Sequence, residues 1–172
     1  EAIGFMLIFG MVIVGIGLVT LYGYPLLIQQ QVGADEQIME KNMIVLQNDV
    51  KSLAYKTVPY KETSLKIGGG TLTVLNSSYL PSTSSIKIYD NVGAVYLDAF
   101  HSGDLMYSSE SAGTDISLQN GAVVKRGHVE TGSVMLAEPR WFYDGQTTTM
   151  VVNLVNITST SGLSRAGVST VQ

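Results

Sequence analysis

The hydrophobic and polar positions divide the chain into three successive patterns. From Ala2 to Ala34 there is no charged residue, and the stretch up to Ile28 is almost wholly apolar. As a helix, this stretch would extend about 40 Å, which exceeds the roughly 30 Å hydrocarbon thickness of a bilayer. Because it has no polar face, we predict a helix that is surrounded on all sides, either by lipid or by other protein.

The second pattern begins around Pro25. A proline removes one helical hydrogen bond and crowds the carbonyl four residues earlier, here Leu21, so a kink or a locally melted turn is expected before the helix resumes. From Asp35 to Tyr55, apolar residues then recur three and four apart among charged neighbours, which predicts an amphipathic helix with one buried stripe. The stripe consists of Met39, Met43, Leu46, Val50 and Leu53.

Beyond Pro59 the pattern changes to short alternating runs separated by turn residues, which predicts antiparallel strands. Hairpins are expected at three turns: the glycines at 68–70, the DNVG sequence, and Asn120–Gly121. Further strands are predicted in SVMLAEP, RWFYDG, TTTMVVNLVNI and GVSTV. The predicted fold class is therefore α+β, with an N-terminal helix over residues 1–55 and an antiparallel β-sandwich-like domain over residues 56–172.

Composition narrows the function classes. The 172 residues carry a formal charge of -4, and the ten Lys and Arg are scattered, whereas binding to nucleic acid requires a clustered positive surface. The chain contains no cysteine, which excludes disulfides, thiolate metal sites and cysteine nucleophiles. The apolar run has no basic segment before it and is longer than a signal-peptide core, so we expect it to be retained in the working protein.

Motifs for catalysis or metal binding are not found. His101 and His128 lie far apart in sequence, with no nucleophile elbow and no HExxH spacing, and the acidic residues match no EF-hand loop. We therefore expect no enzymatic activity, no cofactor and no metal. Two triplets, Asn76-Ser77-Ser78 and Asn156-Ile157-Thr158, are candidate N-glycosylation sites if the domain lies outside the cell.

The EAIGFMLIFGMVIVGIG start, the amphipathic helix after it and the β domain together resemble the archaeal type IV pilins and the related archaellins. The SVMLAEPRWFYDG stretch is similar to archaeal surface proteins of this class. The resemblance covers the whole architecture, and its specific part is the N-terminal apolar run. Bacterial pilins have a glutamate at the fifth mature position, where this chain has Phe5; here Glu1 supplies the N-terminal carboxylate, which would favour the positive end of its helix.

In that family a peptidase removes a short leader, and the apolar helix waits in the cytoplasmic membrane. An assembly ATPase and its membrane platform then insert the subunit into a helical filament. The resemblance implies an extracellular homo-oligomeric appendage, either an adhesive pilus or an archaellum, with helices inside and β domains as the outer wall. The predicted polymerisation core consists of Ile3, Phe5, Leu7, Phe9, Val12, Ile13, Ile16, Leu18, Leu21 and Leu26.

An alternative remains open at this point. The same helix would also suit a membrane-anchored monomeric protein of the cell surface, whose β domain binds a ligand. The two hypotheses differ in what surrounds the helix: copies of the same chain in the first, and lipid alone in the second.

Overall fold

The computed structural model describes residues 2–55, 60–77, 85–129, 132–159 and 164–171, and for residues 55 and 164–170 it describes the backbone alone. Glu1, and with it the expected placement of its carboxylate at the helix N-terminus, lies outside the described residues. The same is true of Ser78 in the first glycosylation triplet and of residues 56–59, where the predicted β domain begins.

A continuous helical segment forms the N-terminal part of the molecule. It begins as α1 (Ala2–Leu18), widens into a π-helical turn (Val19–Gly23) and continues as α2 (Tyr24–Tyr55). At 1.5 Å per residue the segment extends about 80 Å. This length exceeds the width expected of a β domain of this size. The predicted long N-terminal helix is thus confirmed.

The π-helical turn lies directly before Pro25. In an α-helix the nitrogen of Pro25 would face the carbonyl of Leu21, to which it has no hydrogen to donate. A wider turn at this position accommodates the proline ring without breaking the helix. Thr20, in the same turn, donates a hydrogen bond of 2.8 Å from Oγ1 to the carbonyl oxygen of Ile16. Of the two alternatives that were expected, a kink or a locally melted turn, the melted turn is not found, since the backbone stays helical through the proline and the helix continues as α2.

Ten strands follow the helix in the described part of the chain. They are β1 (Thr63–Leu75), β2 (Ile86–Tyr89), β3 (Val95–Phe100), β4 (Asp104–Ser109), β5 (Thr114–Gln119), β6 (Ala122–Gly127), β7 (Ser133–Ala137), β8 (Trp141–Asp144), β9 (Thr149–Val152) and β10 (Ser164–Val171). Six of them form one antiparallel sheet in the order β10-β1-β4-β5-β6-β7, while β2 pairs with β3 and β8 with β9 in two separate hairpins. The predicted α+β class, a long helix followed by antiparallel sheets, is confirmed.

The described core lies between α2 and one face of the six-stranded sheet. Three residues of the predicted stripe, Met39, Met43 and Leu46, are buried there, whereas Val50 and Leu53 are half-buried. Alternate residues of the sheet face them, because successive side chains of a strand point to opposite faces. The buried sheet residues are Leu65, Ile67, Leu72, Leu105, Tyr107, Ile116, Leu118 and Val123.

Two of the three predicted hairpin turns are confirmed. Asn120 and Gly121 connect β5 to β6, and both have a positive φ, 45° and 76°, which is the conformation of a type I′ turn. The DNVG sequence connects β2 to β3, with Gly93 at a φ of 88°.

The hairpin expected at Gly68–Gly70 was wrong. These glycines form a bulge inside the single strand β1, where the pairing with β10 shifts between Ile67 and Leu72. Tyr107 donates a hydrogen bond of 2.6 Å from its hydroxyl to the carbonyl oxygen of Gly68. At Gly70 a Cβ atom would lie 2.5 Å from the backbone oxygen of Ser108, so this position has no room for a side chain.

Candidate assembly surface

The ten residues predicted to form the polymerisation core are all exposed in the isolated chain. No residue of α1 is buried, and among the ten the exposed fraction ranges from 51% at Val12 to 78% at Ile3. The ten are Ile3, Phe5, Leu7, Phe9, Val12, Ile13, Ile16, Leu18, Leu21 and Leu26. Phe5 and Phe9 lie one helical turn apart with nearly parallel rings, whose centroids are 6.1 Å apart.

Further apolar side chains complete this surface on every side of the helix. They were not among the predicted core positions, although they are exposed to a similar degree. The absence of a polar face in the sequence could have identified them, because it makes every apolar position of the helix a candidate contact. They include Met6, Ile8, Met11, Val14, Val19 and Leu27.

The glycines of α1 have no packing partner within the chain. A Cβ atom built at Gly4, Gly10, Gly15 or Gly17 would meet nothing within 4 Å. Glycine weakens a helix by about 1 kcal/mol relative to alanine, so nothing inside one molecule favours it at these positions. Small residues on an apolar helix allow a neighbouring helix to approach closely, and a groove over Gly10 offers such a place.

By length and composition, this helix is able to cross a membrane. The uncharged stretch ends at Ala34, and the next two residues, Asp35 and Glu36, carry the first charges after it. The contacts with the β domain begin at the same point, because the Asp35 carboxylate lies against Gly68 and Gly69 of the β1 bulge. The uncharged stretch of the helix therefore ends where its contacts with the β domain begin.

Polar contacts fix α2 to the sheet. Lys125 on β6 places its Nζ 2.8 Å from Glu36 Oε1 and 2.7 Å from Glu40 Oε1, and the hydrogen bonds to these two carboxylates raise the pKa of Lys125. Further along α2, Asp49 pairs with Lys61 and accepts a hydrogen bond of 2.7 Å from Thr63 Oγ1. The helix is thus held to the β domain by ionic contacts at both ends of its buried stripe.

The arrangement closest to a catalytic one surrounds Asp115. His128 Nε2 lies 2.9 Å from Asp115 Oδ1, and Ser108 also hydrogen-bonds to this carboxylate. Burial alone would raise the pKa of Asp115, and the hydrogen bonds from His128 and Ser108 lower it. A hydrolytic triad places the histidine between the serine and the carboxylate, whereas here the carboxylate lies in the middle. This cluster therefore does not have the order of a hydrolytic triad, in which the histidine contacts the serine.

No metal-binding cluster is found in the part of the chain that the structure describes. There, no group of three or more His, Asp or Glu side chains lies close enough together to hold a metal ion. Asp104 is the carboxyl group whose pKa departs most from its ordinary value. It is half-buried on β4 and accepts a hydrogen bond of 3.0 Å from Gln119 Nε2. Its burial raises its pKa to about 6.

The two glycosylation triplets differ in their surroundings. Asn156 is exposed, and its Oδ1 accepts a hydrogen bond of 3.1 Å from the backbone N–H of Gly103. Asn76 is half-buried: its Nδ2 donates to the carbonyl oxygen of Ser159 at 3.0 Å, and its Oδ1 accepts from the N–H of Ser159 at 2.7 Å. The Asn76 amide thus connects two backbone segments, while Asn156 is open to solvent.

Comparison with known proteins places the chain in a family without naming an activity. No curated protein and no solved structure matches it. One family model, described as a family of unknown function (DUF7289), matches residues 1–172. Because this match extends over the whole chain, the protein belongs to the DUF7289 family.

Proposed function

We propose that this protein is the structural subunit of an extracellular type IV pilus-like filament, assembled through its N-terminal helix. The observation that carries the proposal is the helix surface between Ala2 and Ile28, which is apolar on every side and buried on none. The described residues of one chain leave this surface uncovered, whereas a bundle of identical helices covers all of it. In a filament the glycines of α1 would allow neighbouring helices to approach each other closely.

Assembly of this kind needs little driving force from water exclusion. Lipid tails and a helix bundle are similarly apolar, so the transfer from the membrane into the filament depends on the packing of side chains. Before assembly the helix lies in the cytoplasmic membrane. An assembly ATPase and its membrane platform are the partners that such a transfer requires. No step of this assembly involves chemistry on a substrate.

The β domain forms the outer wall of the proposed filament. Its fixed connection to α2, through Lys125 with Glu36 and Glu40 and through Asp49 with Lys61, keeps each head at a constant position relative to its helix. Since the heads follow the helical arrangement of the stalks, they form a regular surface. That surface serves adhesion or motility, depending on the machinery to which the filament is attached.

A pair of charge substitutions tests this proposal. Val12→Lys places a charge in the middle of the apolar surface, whereas Gln37→Lys adds the same charge at an exposed position in the hydrophilic part of α2. A charge costs about 2.5–3.5 kcal/mol at the centre of an apolar helix that inserts into a membrane. We expect no filaments from cells that carry Val12→Lys and normal filaments from cells with Gln37→Lys. Normal filaments from both variants would overturn the proposal.

The second candidate function is that of a monomeric surface protein anchored in the membrane by this helix. A single helix in lipid also has no protein covering any of its sides. Gly15→Leu separates the two hypotheses. Within one chain a Cβ atom at Gly15 meets nothing within 4 Å, and leucine keeps the surface apolar, so insertion into the membrane is preserved. A filament subunit loses assembly through steric exclusion of the neighbouring helix, while an anchored monomer is unaffected. Ile16→Leu, which conserves volume, is the matched control.

A further inference from the structure

The β8–β9 hairpin is apolar on both of its faces. Trp141 pairs with Val152, Phe142 with Val151 and Tyr143 with Met150 across the two strands. Because side chains alternate along a strand, Trp141 and Tyr143 lie on one face and Phe142 on the other. Val152 is half-buried, and the exposed fractions of the other five run from 45% at Val151 to 65% at Tyr143.

The part of the chain that the structure describes leaves this hairpin largely uncovered. An isolated two-stranded ribbon is marginally stable in water, and neither strand pairs with the six-stranded sheet. Large contiguous apolar patches on a protein surface mark sites of interaction. The exposed aromatic residues of β8 therefore indicate a contact that is made outside the isolated molecule.

The β2–β3 hairpin enlarges this surface. Tyr89, Val92, Val95 and Tyr96 are exposed on it, with Tyr96 at 75%. A groove of about 350 Å³ lies between the two hairpins and is lined by Ile86, Phe100, Met135 and Trp141, among others. We call the exposed apolar residues of both hairpins, together with this groove, the hairpin surface.

The hairpin surface begins at the end of the β domain that is remote from the apolar helix. The base of the β8–β9 hairpin is closed by a hydrogen bond of 2.8 Å from Asn153 Nδ2 to the carbonyl oxygen of Arg140. Both residues border a small cavity with Val50 and Ala54, in the last turns of α2. From Asp35, where the charged part of the helix begins, this is about 20–30 Å along the helix axis. A membrane that holds the apolar helix is therefore remote from this base.

We propose that the hairpin surface is the contact between the β domains of neighbouring copies of this chain. The inference rests on the proposed filament, which brings identical heads together at an equal distance from the filament axis. A large aromatic side chain covers about 150–250 Å², and those of β8 are 48–65% exposed, so the three together offer roughly 300 Å². With Met150, Val151 and the exposed residues of the β2–β3 hairpin, the area approaches the about 800 Å² per partner of a stable interface.

A second copy is the occupant that this area and the chain's architecture favour. Heads tethered by assembled helices are present at a high effective concentration, so even a contact of modest affinity forms between them. If the contact joins two different patches of successive heads, it repeats along the polymer without closing, as a helical filament requires. The hairpin surface then adds lateral cohesion to the outer wall, which the apolar helices alone do not supply.

Because the chain contains no cysteine, single-cysteine variants test this proposal directly. Phe142→Cys and Tyr96→Cys report on the hairpin surface, and Glu110→Cys, in the exposed turn after β4, reports on general access of the reagent. The rate of maleimide labelling is measured for each variant in the native assembled material and again after dissociation in detergent. We expect labelling at 142 and 96 to be at least about 10-fold slower in the assembled state, as for other groups that react only when a contact opens.

The outcomes separate this inference from the proposed function. Filaments with equal labelling rates before and after dissociation would overturn the hairpin contact and leave the filament intact as a proposal. Membrane material without filaments, but with protection at 142 and 96 that detergent removes, would support the contact and contradict the filament. Neither filaments nor protection would overturn both. A Phe142→Ser and Val151→Ser double variant is expected to assemble into filaments that break at lower shear than those of the parent chain.

Discussion

Gln47 on α2 donates two hydrogen bonds into the β domain, and the one to the carbonyl oxygen of Gly121 is only 2.6 Å long. The second reaches the carbonyl oxygen of Glu138 at 2.8 Å, and the Gln47 side chain is almost completely buried. One amide thus donates hydrogen bonds to a carbonyl group in the turn between β5 and β6 and to another in the chain after β7. Because buried carbonyl groups without partners are costly, this contact stabilises the position of the head on its helix.

Gln47→Met keeps the approximate volume of the side chain but removes both hydrogen bonds. We expect the free energy of unfolding to fall by about 1–3 kcal/mol, since the buried Gly121 carbonyl and the partly buried Glu138 carbonyl lose their donor. Gln37→Met, at an exposed position of the same helix, is the control and should change stability little. The measurement is urea denaturation of the full chain in detergent, and equal midpoints for the two variants would contradict the role of Gln47.

The β1 bulge makes a second prediction. Gly70→Ala forces a methyl group toward the backbone oxygen of Ser108 and the ring of Tyr107, neither of which can move without disturbing the sheet. We expect a loss of about 1–3 kcal/mol, as is typical of overpacking. Gly132→Ala, where a Cβ atom meets nothing within 4 Å, should be neutral. Thermal unfolding followed by near-UV circular dichroism compares the two variants, and a stable Gly70→Ala protein would show that the bulge is loosely packed.

Asp104 predicts a dependence of stability on pH. Burial raises its pKa to about 6 from the ordinary 3.8, so the folded chain holds this proton more tightly than the unfolded chain. Its contribution to stability is therefore complete below about pH 4 and is lost as the pH rises through about 6. The lowered pKa values of Asp49 and Asp115 act in the opposite direction and at lower pH.

Asp104→Asn removes this titration while its side-chain oxygen still accepts the hydrogen bond from Gln119. We expect the melting temperature of the parent chain to fall, relative to that of Asp104→Asn, between about pH 4 and about pH 7. The comparison is made by thermal unfolding of both full-length chains at the two pH values. Parallel changes in the two proteins would show that Asp104 titrates normally.

The surroundings of the two triplets predict which asparagine carries a glycan. If the β domain is exported, we expect a sugar on Asn156, which is exposed, and none on Asn76, whose amide bonds to the Ser159 backbone on both sides. Mass spectrometry of peptides from the native protein locates the modification. Asn156→Gln should abolish it, whereas Asn76→Gln should mainly lower stability. A glycan on Asn76 would require the structure around it to be rearranged.

Much of the fold follows from local patterns. The uncharged run, the stripe that contains Met39 and Met43, and the turn at Asn120–Gly121 are each specified by residues close in sequence, and the structure contains all three. The continuous helix through Pro25 is not determined by the local sequence, because a proline is compatible with either a break or a widened turn. The sequence pattern alone does not choose between them.

The errors in the β domain came from contacts that are distant in sequence. Three successive glycines are typical of a turn, and only the approach of Asp35 and Tyr107 to Gly68 explains a bulge within one strand. Strand β4 was not predicted, because Asp104 and the serines at its end have the composition of a loop. Its Leu105 and Tyr107 alternate toward the core, but this pattern spans too few residues to be recognised without its neighbours.

The apolar surface of the helix was predictable because it depends on composition alone. What covers that surface depends on other molecules, and the same is true of the hairpin surface on the β domain. The resemblance to archaeal pilins thus remains a prediction that supports the proposed function, and the exposed helix provides the physical argument for it.

The most direct test is electron microscopy of material sheared from native cells, combined with mass spectrometry of the fractions. The account predicts thin filaments of uniform diameter that contain this chain as their major component. Recovery of the chain only from membranes, as detergent-soluble monomers without filaments, would contradict the central claim and favour the anchored surface protein.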